Sequence, residues 1–280
     1  MSAPEMICPA KLHKILVCTD GSPASQGAFA GALALVEACK ARLYLLQVLE
    51  VSLQVETLAP EAVAHLLKEV RQHLEGLKAA VRARGGEVES LVRSCEFPHL
   101  AILSEAQKLH PDLIIMGRHG RTGLARLMMG SVTARVIGES PVKILVVPQE
   151  AELAFDRILI ATDGSPDSRA AWEEALALAW RAGATLIAIC AARDERELGM
   201  AREIVGRLKD EAKGVNLETL TPLGQPEEAI IAAAQDKKAH LIVLGTHGRT
   251  GLKRLLMGSV AERVIGQAPC PVLVVKEGVG

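Results

Sequence analysis

The chain repeats itself, and that repetition limits its fold more than any other feature. Residues 117–147 match residues 245–275 at 21 of 31 positions without a gap. Further upstream, Ile15-Leu-Val-Cys-Thr-Asp-Gly-Ser-Pro23 is echoed by Ile158-Leu-Ile-Ala-Thr-Asp-Gly-Ser-Pro166. The offset is 143 residues at the front and 128 at the back, so the first copy carries 15 extra residues, lying between Val48 and Gly85. A period this long is a whole domain rather than a solenoid unit. The 280 residues also suit two domains on a prior of roughly 150 residues each. The expected division is residues 1–148, a short polar linker at 149–156 beginning just after Pro148, and residues 157–280.

Within each copy, short apolar runs alternate with helical patterns. In the first, strands are expected at 14–18, 43–48, 88–92, 113–116 and 142–147. Helices are expected at 24–40, 60–84, 98–110 and 131–138. Val63, Leu66, Leu67, Val70, Leu74, Leu77 and Val81 recur at helical spacing, and Gly85-Gly86 then stops the run. Ser22 and Pro23 read as an N-cap and a first helical residue. The second copy repeats the order, with strands at 157–161, 185–191, 216–221, 241–244 and 272–276. Its helices are expected at 166–181, 195–213, 226–238 and 259–266. Continuous apolar strands alternating with helices indicate an α/β fold, a parallel sheet covered on both faces. The fifth strands should be apolar sheet edges, which tend to pair.

The most strongly repeated stretch follows strand four. It reads Gly117-Arg-His-Gly120, nine residues, then Gly130-Ser131, and again Gly245-Thr-His-Gly248, nine residues, Gly258-Ser259. A strand opening into a glycine-rich turn and a helix start suits an oxyanion, because bare backbone N–H groups approach it closely. Asp20 and Asp163 lie just beyond strand one. If strands one and four are neighbours, both features meet beyond the carboxyl ends of the strands, where such sheets bind ligands. That arrangement requires the order 3-2-1-4-5. The carboxylates accept hydrogen bonds only, so they suit a ribose hydroxyl or a base edge.

These residues resemble the universal stress protein family, as a tandem of two such domains covering nearly the whole chain. The spacing Gly-x2-Gly-x9-Gly-Ser is similar to that family's ATP-binding signature. The resemblance implies two Rossmann-like (adenine nucleotide alpha hydrolase-like) domains, each with five parallel strands in the order 3-2-1-4-5. It implies ATP, with Mg, as ligand. The nucleotide-binding residues so implied are Asp20, Val48, Gly117, Gly120, Gly130, Ser131 and Val132 in the first copy. In the second they are Asp163, Ala191, Gly245, Gly248, Gly258, Ser259 and Val260. Family members pair through the fifth strand, so an intrachain pseudo-dimer is expected, or a homodimer. The implied role is cytoplasmic nucleotide binding in stress adaptation, with occupancy as the signal.

Two departures separate the copies. The turn after strand three is Glu96-Phe-Pro98 in the first and Gly224-Gln-Pro226 in the second. If that turn faces the pocket, Glu96 repels phosphate and the second copy is the better nucleotide site. Ala191 replaces Val48, a smaller wall.

Competing readings rest on chemistry. A slow ATP hydrolase needs a catalytic base, and none is singled out. His119 and His247 read as turn residues, and no Gly-Lys-Ser/Thr phosphate clamp is present. The remaining alternative is a protein- or lipid-binding module without nucleotide. Arg121, Arg126, Arg249 and Arg254 are either phosphate partners or solvated charges. The histidines lack zinc-ligand spacing. Magnesium would need only phosphates, water and an oxygen such as that of Ser131 or Asp20. A net charge of −1 and 2% aromatic residues disfavour nucleic acid, which attracts basic surfaces and stacking platforms. No apolar run approaches the roughly 20 residues of a membrane helix, and the first ten residues do not resemble a signal peptide. The six scattered cysteines read as small buried hydrophobes in a reducing cytoplasm.

Overall fold

The computed structural model of the protein describes residues 7–120, 129–248 and 257–278. Arg121, Arg126, Arg249 and Arg254 lie outside the described residues. The first copy runs β1 (Lys14–Thr19), α1 (Gln26–Cys39), β2 (Arg42–Glu50), α2 (Leu53–Leu58), α3 (Pro60–Ala83), β3 (Val88–Cys95), α4 (Pro98–Leu109), β4 (Leu113–Gly117), α5 (Ser131–Glu139) and β5 (Ile144–Val147). The second runs β6 (Arg157–Ala161), α6 (Pro166–Ala182), β7 (Thr185–Ile189), α7 (Glu195–Glu211), β8 (Asn216–Leu220), α8 (Pro226–Asp236), β9 (Leu241–Gly245), α9 (Ser259–Gln267) and β10 (Val272–Val275).

Each copy forms a parallel sheet in the order 3-2-1-4-5, and the two join into one ten-stranded sheet, β3-β2-β1-β4-β5-β10-β9-β6-β7-β8. The join is antiparallel, with Val272 opposite Val146 and Val274 opposite Ile144. The fifth strands are therefore interior, and β3 and β8 form the outer edges.

Alternation along each strand feeds two cores, one per face. In β1, Ile15 and Val17 pack among residues of α1 and α3 such as Ala32, Val36 and Leu74. Leu16 and Cys18 face the other way, towards Ile102 of α4 and Ile137 of α5. In β6, Ile158 and Ile160 meet Trp172 of α6, while Leu159 shares the opposite core with Ile230 of α8 and Val264 of α9. The apolar helix α1 spends its surface on core, burying Ala28, Ala32, Leu35 and Val36. Gly27 lets the chain after β5 cross this helix closely, since a Cβ there would lie 2.2 Å from the Pro148 carbonyl oxygen. The connecting segment is also less polar in use than its composition implies, because Leu153 is buried against the same core.

Three local expectations need correction. Ser22 does not cap α1. The chain first makes a 3-10 turn at Pro23–Ser25, and the Ser22 hydroxyl donates to Asp20 Oδ1 at 2.6 Å. Ser165, its counterpart, does cap α6, accepting from the Ser168 N–H at 3.3 Å. Helix α2, within the 15 extra residues, is an added element with Leu53, Val55 and Leu58 exposed. The cysteines are not all free thiols. Cys8 and Cys39 form a disulfide, because the N-terminal segment runs alongside the end of α1 and brings their Cα atoms within 4.8 Å.

Candidate functional site

Strand β1 ends in Thr19 and β6 in Ala161, and each runs on through the turn Thr-Asp-Gly-Ser. Each turn is held by its own side chains. Asp163 Oδ1 accepts the Ser165 N–H at 3.0 Å, and Thr162 Oγ1 accepts the Gly164 N–H at 3.3 Å. Asp20 and Thr19 do the same for Ser22 and Gly21, at 3.0 and 3.1 Å. The Asp therefore bonds the backbone two residues on, which fixes its carboxylate.

The fixed carboxylate faces the glycine turn of the neighbouring strand. β1 pairs with β4 and β6 with β9, so strands one and four are adjacent in both copies. A Cβ added at Gly248 would lie 2.6 Å from Asp163 Oδ2, and one at Gly120 would lie 2.9 Å from Asp20 Oδ2. A side chain at either position would therefore have to displace this carboxylate. Gly117 and Gly245 close their strands against the backbone of Ala24 and Asp167. The ends of each turn are tied together, by Gly130 N–H to the Arg118 carbonyl at 2.9 Å and by Gly258 N–H to the Thr246 carbonyl at 2.8 Å. Gly130 and Gly258 are the N-caps of α5 and α9, which start at Ser131 and Ser259. The first N–H groups of a helix have no intrahelical acceptor and favour an anion.

In the second copy these parts enclose a cavity of about 410 Å³. All seven residues singled out there line it, from Asp163 and Ala191 through Gly245 and Gly248 to Gly258, Ser259 and Val260. In the first copy the structure brings Asp20 to Gly120 and places Gly117, Gly130 and Ser131 as above. Val48 and Val132 pack partly buried against the core beneath.

Other residues of the second cleft carry weaker sequence signals. Arg193 and Glu197 line it from the start of α7, and Thr246 and His247 from the turn. Behind them stands Asp167 in the first turn of α6. Its Oδ2 accepts the Thr246 hydroxyl at 2.6 Å and the His247 N–H at 3.0 Å, with His247 Nδ1 at 3.3 Å. Its Oδ1 accepts the Glu277 N–H at 3.0 Å. Burial pushes the Asp167 carboxyl up, but the bonds from Thr246, Glu277 and His247 outweigh it and hold the group below its ordinary value. The first copy has Ala24 and Arg118 at the matching positions. Arg118 instead reaches the Ala268 carbonyl at the end of α9. Burial, and then the Arg118 charge, lower the basicity of His119.

The turn after strand three does not separate the copies as expected. Gly224 belongs to a different groove, beside β8, and Pro226 supplies the cleft wall. Glu96 is exposed. The charge contrast lies one strand closer, where Arg193 follows β7 and Glu50 ends β2. Among the described residues, no three His, Cys, Asp or Glu side chains cluster as metal ligands. No described helix is long and apolar enough to cross a membrane.

A doubly wound parallel sheet, built twice, with a carboxylate against a glycine turn at its switch point, defines an α/β protein of the Rossmann-like class. Comparison with known proteins gives the particular family. The profile of the Universal stress protein family matches residues 11–148, 154–203 and 191–276, and the chain belongs to that family. It is 39% identical over 147 residues to a universal stress protein of Methanocaldococcus jannaschii, spanning 46% of this chain and 86% of that one. It is 26% identical over 240 residues to one from Mycobacterium tuberculosis, covering 77% of this chain and 73% of the relative. Against a second from that organism the identity is 27% over 186 residues, and the match spans only 62% of the relative's length. In fold it is similar to the crystal structure of a universal stress protein from Archaeoglobus fulgidus, with a TM-score of 0.77 at 23% identity over 95% of this chain and 98% of that one. A functionally unknown protein from Pseudomonas aeruginosa gives 0.68 at 22% identity, over 95% and 93%.

Proposed function

We infer that the second copy binds ATP with Mg, and that its occupancy acts as a signal in stress adaptation within the cytoplasm. The observation that carries this reading is the cleft in which Asp163, the glycine turn and the start of α9 meet. Its volume, about 410 Å³, is within the roughly 300–1,000 Å³ of small-molecule clefts. The orphan N–H groups of α9 suit phosphates, and Asp163 suits the ribose hydroxyls. Magnesium would be held by the phosphates and by an oxygen such as that of Ser259, with water completing its shell.

Slow hydrolysis is the second reading, favoured by the contact of His247 with Asp167 beside the glycine turn. A carboxylate behind an imidazole fixes its tautomer and supports a proton-accepting role. Denaturing the purified protein and weighing any released small molecule tests both. Retained ATP supports binding, retained ADP supports hydrolysis, and no purine nucleotide, with no thermal shift in millimolar Mg-ATP, removes both.

A further inference from the structure

The second cleft has an order along the sheet edge. The anion-binding end is the glycine turn after β9 with the start of α9. Asp163 follows at β6, one strand over, and Ala191, Arg193 and Glu197 lie beyond β7. Strands stand about 4.8 Å apart, so β9 and β7 are separated by about 10 Å. Phosphate, sugar and base are strung out over a comparable length. A ligand with its phosphates on α9 therefore presents its base to the beginning of α7.

The chemistry at that end is charged. Glu197 is half-buried and lines the cleft. It also belongs to a reciprocal cap: Asp194 Oδ1 accepts the Arg196 and Glu197 N–H groups at 2.9 and 3.3 Å, and Glu197 Oε2 accepts the Arg193 N–H at 3.0 Å. Capping uses one carboxylate oxygen and fixes the direction of the other. An ionised carboxylate accepts hydrogen bonds and donates none. Opposite the position-6 substituent it matches an exocyclic amine and opposes a carbonyl, whereas opposite N1 it would accept the N–H that a 6-oxopurine carries there. Arg193, on the same wall, donates only, and suits N3 or N7 of either base and the unprotonated N1 of a 6-aminopurine alone.

We propose that Glu197 reads the base in the second cleft, selecting 6-aminopurine over 6-oxopurine nucleotides. This rests on the reading that the cleft takes a nucleotide at all. The role is specificity rather than catalysis. It is also separable from capping, because glutamine retains an acceptor oxygen for the Arg193 N–H while its amide can turn a donor towards a carbonyl.

The test compares Mg-ATP with Mg-ITP, which differ at position 6 and in the proton on N1, by calorimetric titration of the full-length chain. An Asp20→Ala background removes the carboxylate of the first cleft, and Glu197→Gln is then added to it. A hydrogen bond to a charged group corresponds to about tenfold to hundredfold in affinity. The expected result is ATP tighter than ITP by about that ratio, falling towards unity in the Glu197→Gln variant, with an unchanged melting temperature without nucleotide. Equal affinities in the Asp20→Ala chain, or a ratio that survives Glu197→Gln, overturn the assignment and leave nucleotide binding standing. Binding of neither triphosphate overturns the functional reading and this inference with it.

Discussion

Replacing Asp167 with alanine removes the group that ties the second glycine turn to α6 and to the chain after β10. The side chain is 16% exposed and accepts three hydrogen bonds of 3.0 Å or less, from the Thr246 hydroxyl and the His247 and Glu277 N–H groups. A bond to a charged group contributes roughly 1.5–3 kcal/mol, and the three are not additive because water reaches part of the vacated space. A net loss of about 3 kcal/mol is expected, a fall in melting temperature on the order of 10 °C. The control is Glu173→Ala, which breaks an ion pair with side chains 50% and 63% exposed and should cost about 0.5 kcal/mol or less. The effect has a pH signature. Because the folded carboxyl sits below its ordinary value of 3.8, its stabilisation is complete above that value. It is lost as pH falls through the lower folded value. The gap between wild type and Asp167→Ala should stay flat from neutral to mildly acidic pH and close in stronger acid. Thermal melts followed by circular dichroism across that range read both. A fall of less than about 2 °C, or a gap that never closes, refutes the reasoning.

Two further outcomes follow from single contacts. Gly248→Ala places a methyl group 2.6 Å from Asp163 Oδ2, so it should abolish nucleotide-dependent thermal stabilisation. Gly199→Ala, on α7 with nothing within 4 Å of the added atom, should leave that stabilisation intact and raise stability by about 0.5–1 kcal/mol. Equal nucleotide responses in the two variants contradict the close approach. Reduction, or Cys39→Ser, opens a disulfide with a sequence separation of 31 and should lower stability by about 2–4 kcal/mol, read by denaturant unfolding with and without reductant. Identical curves contradict that closure.

The fold was legible because both of its signals are local. Apolar runs such as Leu241–Leu244 mark buried strands, and the repeat carries each boundary twice, so most elements end within a residue or two of expectation. The meeting of Asp163 with Gly248 was also within reach, since it follows from strand order once the turn residues stand at strand ends. Asp167 was not legible. Its partners Thr246, His247 and Glu277 lie 79, 80 and 110 residues away, and an Asp in the first turn of a helix needs no partner beyond the helix dipole. Its one trace is that the first copy has Ala24 there. Glu197 was hidden for a similar reason, as a charged residue early in a helix reads as a cap. The contrast between Glu96 and Gly224 was visible but misleading. Sequence marks that turn as changed without saying that Gly224 opens onto another groove while Pro226 lines the cleft. Cys8 and Cys39 are joined only because an irregular segment folds back onto α1, and irregular segments leave no periodic trace.

Titrating Mg-ATP calorimetrically into the full-length protein and into its Asp20→Ala and Asp163→Ala variants tests the central claim most directly. Binding should persist in Asp20→Ala and disappear in Asp163→Ala, because the described cavity is built around Asp163. Binding that survives Asp163→Ala but not Asp20→Ala, or no binding heat in any of the three, would contradict it.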